Sequence, residues 1–245
     1  SIIQVRFGGA KGTLTGWDFD KVGGYRSQIR SSDVCLRPSM VKFSAPYRNL
    51  EVISVGSRLP YYLNRQMIFL LTFHQVPQSI LIDMQRDMLD ELDSMMKCPE
   101  TAMDILPSIS GPDRNLVRDL MYSLSCGFSP LEEPFIFSCL HAIRSHHLVQ
   151  LRKKSRIRVK DGVVLMGGID ETAKLPEGCV FVKVRPRGGQ ASQPSSAFHP
   201  NKNDKGDNEF KVIEGPVLVA KHPVMHPGDV RMLLAVNIPE LHDQK

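Results

Sequence analysis

The period of the apolar residues changes twice along the chain, and this constrains the fold more than any other feature of the sequence. From Ser1 to about Val55 apolar residues come in short runs broken by glycine and proline: Ile2-Ile3-Gln4-Val5-Arg6-Phe7 before Gly8-Gly9, then Val34-Cys35-Leu36, then Leu50-Glu51-Val52-Ile53-Ser54-Val55. Short runs bounded by turn residues predict strands. Between about Tyr61 and Leu151 the spacing turns helical. Leu81, Met84, Met88, Leu92 and Met95 recur at threes and fours, as do Leu116, Leu120 and Leu124, and residues so spaced share one helix face. Ser129-Pro130-Leu131-Glu132 matches a capping box with proline at the first helical position, which starts the last helix there, against the objection that Pro134 then removes a donor from its second turn. From Ile157 to Val184 strand-like runs return, as Val163-Val164-Leu165-Met166 and Cys179-Val180-Phe181-Val182-Lys183-Val184. Residues from about Arg185 to Asn208 offer almost nothing to bury and predict a mobile surface loop. Two more apolar runs follow, Gly215–Ala220 and Met232–Val236. The fold class is α+β.

Composition excludes several classes of protein. With 245 residues, 42% hydrophobic and 23% charged, the chain is long and apolar enough to bury a core. Its longest compact apolar run, Met67-Ile68-Phe69-Leu70-Leu71, falls far short of the roughly 20 residues of a membrane span. The five cysteines are widely spaced without a C-x-x-C pair; this argues against a disulfide framework or zinc ribbon and for reduced thiols in an intracellular protein, nuclear or cytoplasmic. Ser1 and the closing Leu241–Lys245 carry no start or tail signal, so a piece of a longer chain is expected. A net charge of +5 favours an anionic partner.

Among local motifs, Asp18-Phe19-Asp20 places two carboxylates where they could share a magnesium ion. The third carboxylate of two-metal chemistry is missing nearby, which favours a solvated loop. Gly8-Gly9-Ala10-Lys11-Gly12 lacks the spacing of a Walker loop, leaving a lysine on a glycine-flanked turn that can neutralise a phosphate. His222 and His226 are four apart, but Pro223 and Pro227 forbid the helix that would align them on a metal. His146 and His147 point apart on a helix, as surface or satisfied interface residues. Arg144, Arg152, Lys153, Lys154, Arg156, Arg158 and Lys160 occur without an acid between His141 and Lys160. Such a run suits an RNA backbone, and it also suits a solvated helix C-terminus.

Six blocks then occur in a recognisable order. They are Phe7-Gly8-Gly9-Ala10-Lys11-Gly12, Leu36-Arg37-Pro38-Ser39-Met40-Val41-Lys42-Phe43, Tyr62-Leu63-Asn64-Arg65-Gln66, Leu165-Met166-Gly167-Gly168-Ile169-Asp170-Glu171-Thr172, Gly215–Lys221, and His226-Pro227-Gly228-Asp229-Val230-Arg231 with Ala235–Leu241. In this order the chain resembles the eukaryotic cellular RNA-dependent RNA polymerases of RNA silencing. The resemblance implies two double-psi β-barrels facing each other. Residues 1–55 and 156–184 would supply much of the first, 56–155 a helical insertion, 185–211 the loop, and 212–245 the start of the second, catalytic barrel. The family's catalytic D-x-D-G-D loop follows the last block, so the resemblance implies magnesium ligands after Lys245 and a fragment inactive alone.

It also implies an enzyme that copies single-stranded RNA into double-stranded RNA from ribonucleoside triphosphates, for small-RNA production. Lys11 and Lys42 would face the incoming triphosphate and the RNA end, because phosphoryl transfer is helped by cations on developing charge. Lys221 would lie near the nucleotide sugar. Arg37, Arg65, His226 and Arg231 would contact template or product, with a structural Asp229–Arg231 ion pair as the alternative for that turn. Arg152, Lys153, Lys154, Arg156 and Arg158 form the basic RNA-contact patch. Asp170 and Glu171 are assigned to structure and no metal site is assigned. Rival readings are a catalytically inactive RNA-binding module on the same scaffold and a barrel piece of a DNA-directed RNA polymerase. Two residues depart from the family pattern: Ala173 stands where glycine is usual after Asp-Glu-Thr, and His222 where asparagine usually precedes proline.

Overall fold

The structure, a computed structural model, describes residues 2–16, 34–108, 114–170, 173–184 and 210–242. Asp18-Phe19-Asp20, Glu171 and the loop after Arg185 lie outside these residues. Strands β1 (Ile2–Phe7) and β2 (Ala10–Thr15) form an antiparallel hairpin, and β3 (Glu51–Val55) pairs with the other edge of β1. Its two-residue turn is Gly8-Gly9, with φ of 53° and 86°, the doubly left-handed turn that suits the twist of a hairpin. Close packing adds a second reason for glycine at the tip. A Cβ on Gly9 would stand 2.0 Å from the Phe43 carbonyl oxygen. Val41 bridges Ala10, and the Lys42 N–H donates to the Gly9 carbonyl at 3.1 Å. The first two sequence blocks are thereby fastened together.

After β4 (Leu59–Tyr62) come five helices among the described residues: α1 (Arg65–Phe73), α2 (Gln78–Ser94), α3 (Pro99–Ile105), α4 (Arg114–Ser125) and α5 (Pro134–Lys154). Asn64 starts α1 by accepting the Met67 N–H on its side-chain oxygen at 2.8 Å, which satisfies one of the donors a helix start leaves unpaired. The periodic residues Leu81, Met88 and Leu92 are the buried ones of α2, and Leu120 and Leu124 those of α4. The last helix starts at Pro134, later than the capping-box reading placed it. Glu133 is the cap, accepting from Phe135 N at 3.2 Å, while the Ser129 hydroxyl accepts from Leu131 N in the preceding turn. A proline lacks the N–H that a second helical turn needs, so Pro134 fits only the first position.

Strands β5 (Arg158–Val164), β6 (Cys179–Val180), β7 (Val182–Val184), β8 (Lys211–Ile213), β9 (Gly215–Ala220) and β10 (Val230–Ala235) complete the described architecture. β5 pairs with β4, β7 with β8, and β10 lies between antiparallel β9 and parallel β6. The described residues thus form a mixture of helices and small sheets with two apolar cores. One lies among α2, α3, α4 and α5 around Met95, Leu106 and Leu140. The other joins Met67 and Leu70 of α1, Leu81 of α2 and Ile157 before β5 to Val224 and Val230 of the β9–β10 unit.

Ala173 has φ of 54°, in the left-handed region that glycine tolerates and alanine does not. Asp170 closes this turn by accepting the Leu175 N–H at 2.8 Å, a structural role. Ala173→Gly is therefore expected to raise stability by about 1 kcal/mol, net of the chain entropy that glycine adds. Gly9→Ala, which combines left-handed strain with a backbone collision, is expected to lose more than the about 1–2 kcal/mol of that strain alone. Urea denaturation of the two variants against the parent measures both.

Candidate nucleic-acid interface

The basic residues singled out in the sequence fall into three groups. Lys11, exposed on β2 opposite Arg6, and Lys42, exposed beside Val41, flank the Ala10–Val41 bridge. The packing of Phe43 over Gly9 ties the segment that carries Lys42 to the hairpin that carries Lys11. Lys42 donates to its own turn at Ser39 O, 2.7 Å away. Arg37, half-buried, precedes the turn Pro38–Met40, and its carbonyl accepts from Met40 N at 2.9 Å.

The second group is the turn between β9 and β10. Asp229 accepts the N–H groups of Met225 (3.0 Å) and His226 (2.9 Å), and His226 Nδ1 accepts from Gly228 N at 3.0 Å. Those two N–H donors, chiefly that of Met225, hold the Asp229 carboxyl below its ordinary pKa, with His226 and Lys221 nearby adding to the effect. Arg231 donates to the Gly228 carbonyl at 3.3 Å. Among the described residues Asp229 and Arg231 form no ion pair; backbone hydrogen bonds fix the turn instead. Lys221 is exposed at its start.

The third group is a groove of about 530 Å³ whose wall includes Tyr61, Tyr62, Arg65, Lys153, Lys154, Arg156 and His222. It unites Arg65 from the start of α1, the end of α5 and His222 from the turn after β9. Arg65 Nη2 donates to the Lys153 carbonyl at 2.5 Å, and the Arg156 guanidinium lies 5.1 Å from the Tyr62 ring centre. His222 and Tyr61 are neighbours, with ring centres 5.7 Å apart.

The long basic run is divided by its partners. Arg144 pairs with Asp93 at 2.6 Å, Arg158 pairs with Glu91, and Lys160 lies 3.2 Å from Glu91. Arg158 is thus committed to tying β5 to α2 and does not line the groove. Among the described residues no acid pairs with Arg152, Lys153, Lys154 or Arg156.

Tyr61, Tyr62 and His222 had no assigned role in the sequence reading, and His147 departs from it. His147 is buried, its ring stacked on Tyr62 with centres 6.1 Å apart, and its Nε2 has no hydrogen-bond partner among the described residues. Burial, then His146, Arg158 and Arg156, press its pKa down from 6.5 to about 4. A histidine three residues from Gln150 and beside a basic run carries no sequence mark of burial; its environment comes from Tyr62, 85 positions away by number.

The five cysteines are free thiols. Among the described residues, no three His, Cys, Asp or Glu side chains are placed to hold a metal. Nor is any described helix long and apolar enough to cross a membrane.

A family model described as RNA dependent RNA polymerase matches residues 1–245, and the chain belongs to that family. It is 40% identical over 246 residues to the probable RNA-dependent RNA polymerase SHL2 of Oryza sativa subsp. japonica, spanning 99% of this chain and 19% of that protein. It is 36% identical over 243 residues to RNA-dependent RNA polymerase 6 of Arabidopsis thaliana, spanning 98% and 19%. The chain thus spans about a fifth of the length of these curated relatives. In fold it is similar to the RNA dependent RNA polymerase QDE-1 from Thielavia terrestris, with a TM-score of 0.55 at 21% identity, over 99% of this chain and 27% of that one.

Two outcomes follow from the site's electrostatics. The unfolded chain binds a proton on His147 below about pH 6.5 and the folded chain only near 4, so stability present above pH 6.5 is lost as pH falls through that window. Denaturation midpoints for His147→Phe are expected to fall less between those pH values. Glu91→Ala leaves Arg158, whose side chain is 13% exposed, without its carboxylate, and is expected to lose about 3 kcal/mol, the lower end for a broken buried pair.

Proposed function

We propose that the protein is an RNA-directed RNA polymerase that copies single-stranded RNA into double-stranded RNA from ribonucleoside triphosphates, in the service of small-RNA silencing. The match of one polymerase family model to the whole chain carries this reading. In it, residues 1–55 and 156–184 contribute to one double-psi barrel and 212–245 to the opening of a second, with β6 and β7 of the former hydrogen-bonded to β10 and β8 of the latter. Residues 56–155, apart from β4, would form a helical insertion. Magnesium would supply charge neutralisation at the transferring phosphate. The described side chains do not fit it as ligands, so its carboxylates are sought elsewhere in the protein.

Lys11 and Lys42 are the residues proposed to face the triphosphate and the RNA end. Lys11 on the hairpin and Lys42 on the segment bridged to it place two cations beside one Ala10–Val41 bridge, and positioned charge is what stabilises the negative charge of phosphoryl transfer. Lys221, next to the backbone-fixed Asp229 turn, is proposed to lie near the nucleotide sugar. Arg37, His226 and Arg231 are proposed to steady template or product. His226 does so from a ring whose Nδ1 is already used in the turn.

The test is incorporation of labelled ribonucleotides on a single-stranded RNA template by the full-length protein. Lys11→Ala and Lys42→Ala are each expected to lower kcat by about 10²-fold, the effect of removing one preorganised electrostatic contact. Wild-type rates from both variants would overturn their assignment, and a full-length protein inert with every template and metal would overturn the activity.

A further inference from the structure

We infer that the groove between α1, the end of α5 and His222 is a binding site for the sugar-phosphate backbone of RNA that grips phosphates and ignores base identity. The inference rests on the polymerase reading and adds a site to it. Its volume of about 530 Å³ lies inside the roughly 300–1,000 Å³ of ligand sites. Arg65, Lys153, Lys154 and Arg156 line it, and no described aspartate or glutamate does.

The bland account places Lys153 and Lys154 in the last turn of α5 simply because cations favour helix C-termini. It explains those two lysines. It does not explain Arg65, which comes from the start of another helix, or Arg156, which lies beyond the end of α5. A helix C-terminus carries about half a negative charge and would repel a phosphate if left bare. Here Arg65 takes the Lys153 carbonyl at 2.5 Å and Ser155 N takes the Leu151 carbonyl at 2.8 Å. With those carbonyls occupied, the positive side chains dominate the groove.

Two details separate phosphates from bases. The Tyr62 ring has His147 stacked against it and Arg156 over it. Tyr61 is in contact with His222. The aromatic rings of the wall therefore already have partners, whereas a site that holds bases needs open ring faces to stack them. What the groove offers is cations, and neutralising phosphates makes affinity depend steeply on salt.

The measurement is anisotropy of labelled oligouridylate and oligoadenylate with the full-length protein, across about 50 to 200 mM salt. Lys153→Ala/Lys154→Ala is expected to weaken both oligomers by the same factor and to reduce the salt slope by about 1.4, two phosphates at roughly 0.7 each for single strands. Lys153→Arg/Lys154→Arg is expected to restore both. Arg156→Gln, made separately, supplies the same readout should the double variant not fold. An unchanged slope sinks the inference. So does a loss confined to one oligomer, which would mean that bases are read. Weaker nucleoside triphosphate binding with RNA binding intact would make the groove a triphosphate site and sinks it too. Wild-type protein that binds neither oligomer removes the polymerase reading as well, while wild-type binding with unaltered variants removes the groove alone.

Discussion

The charges that line the groove are held in place by an uncharged contact, the packing of Met67 and Leu70 of α1 against Ile157 on one side and Val224 and Val230 on the other. Burial of such side chains contributes on the order of 1.5–3 kcal/mol apiece, more than any exposed ion pair in the structure can offer. That core binds the helical layer to the β9–β10 unit. A polar contact supplements it, between His74 Nε2 and the Pro227 carbonyl at 3.0 Å. Arg65 begins the helix that carries Met67 and Leu70, and His222 stands two residues before Val224, so both reach the groove as a consequence of apolar packing.

The cations divide by partner. Where β5 meets α2, Glu91 draws in Arg158 and Lys160. Beyond Ile157 the charges serve structure; before it, from Arg152 to Arg156, they face solvent and the groove. The buried Ile157 is the point at which one continuous basic segment changes its role. This division needs no change in composition along the chain, only a change in what lies opposite.

Local pattern explains why much of the architecture was legible in the sequence. Leu81, Met88 and Leu92 had to share a helix face, and Gly8-Gly9 had to make a tight turn whatever surrounded them. Ala173, standing where glycine is usual, has the left-handed backbone that glycine would accept without strain. Less legible was whatever depended on residues distant in sequence. The start of α5 turned on which of two competing caps, Ser129 or Glu133, the proline pattern allowed. His147 gave no sign of burial, and Arg158 looked like its neighbours until Glu91, 67 residues away, claimed it. Of the candidate site, Lys11 and Lys42 could be picked out by motif. The groove could not, because its walls are three separate stretches of chain.

That separation has a temporal side. Arg65 emerges from a ribosome long before Lys153, 88 residues later, and His222 follows after a further stretch that includes the polar segment beyond Arg185. Chains fold as they are made, in order of appearance. The helices can close their own core first, since their contacts are the more local ones. A nascent chain halted before Val224 would thus carry every residue that lines the groove while lacking the Val224 and Val230 side chains that pack against α1. The arrival of Val224 and β10 completes the apolar support behind it.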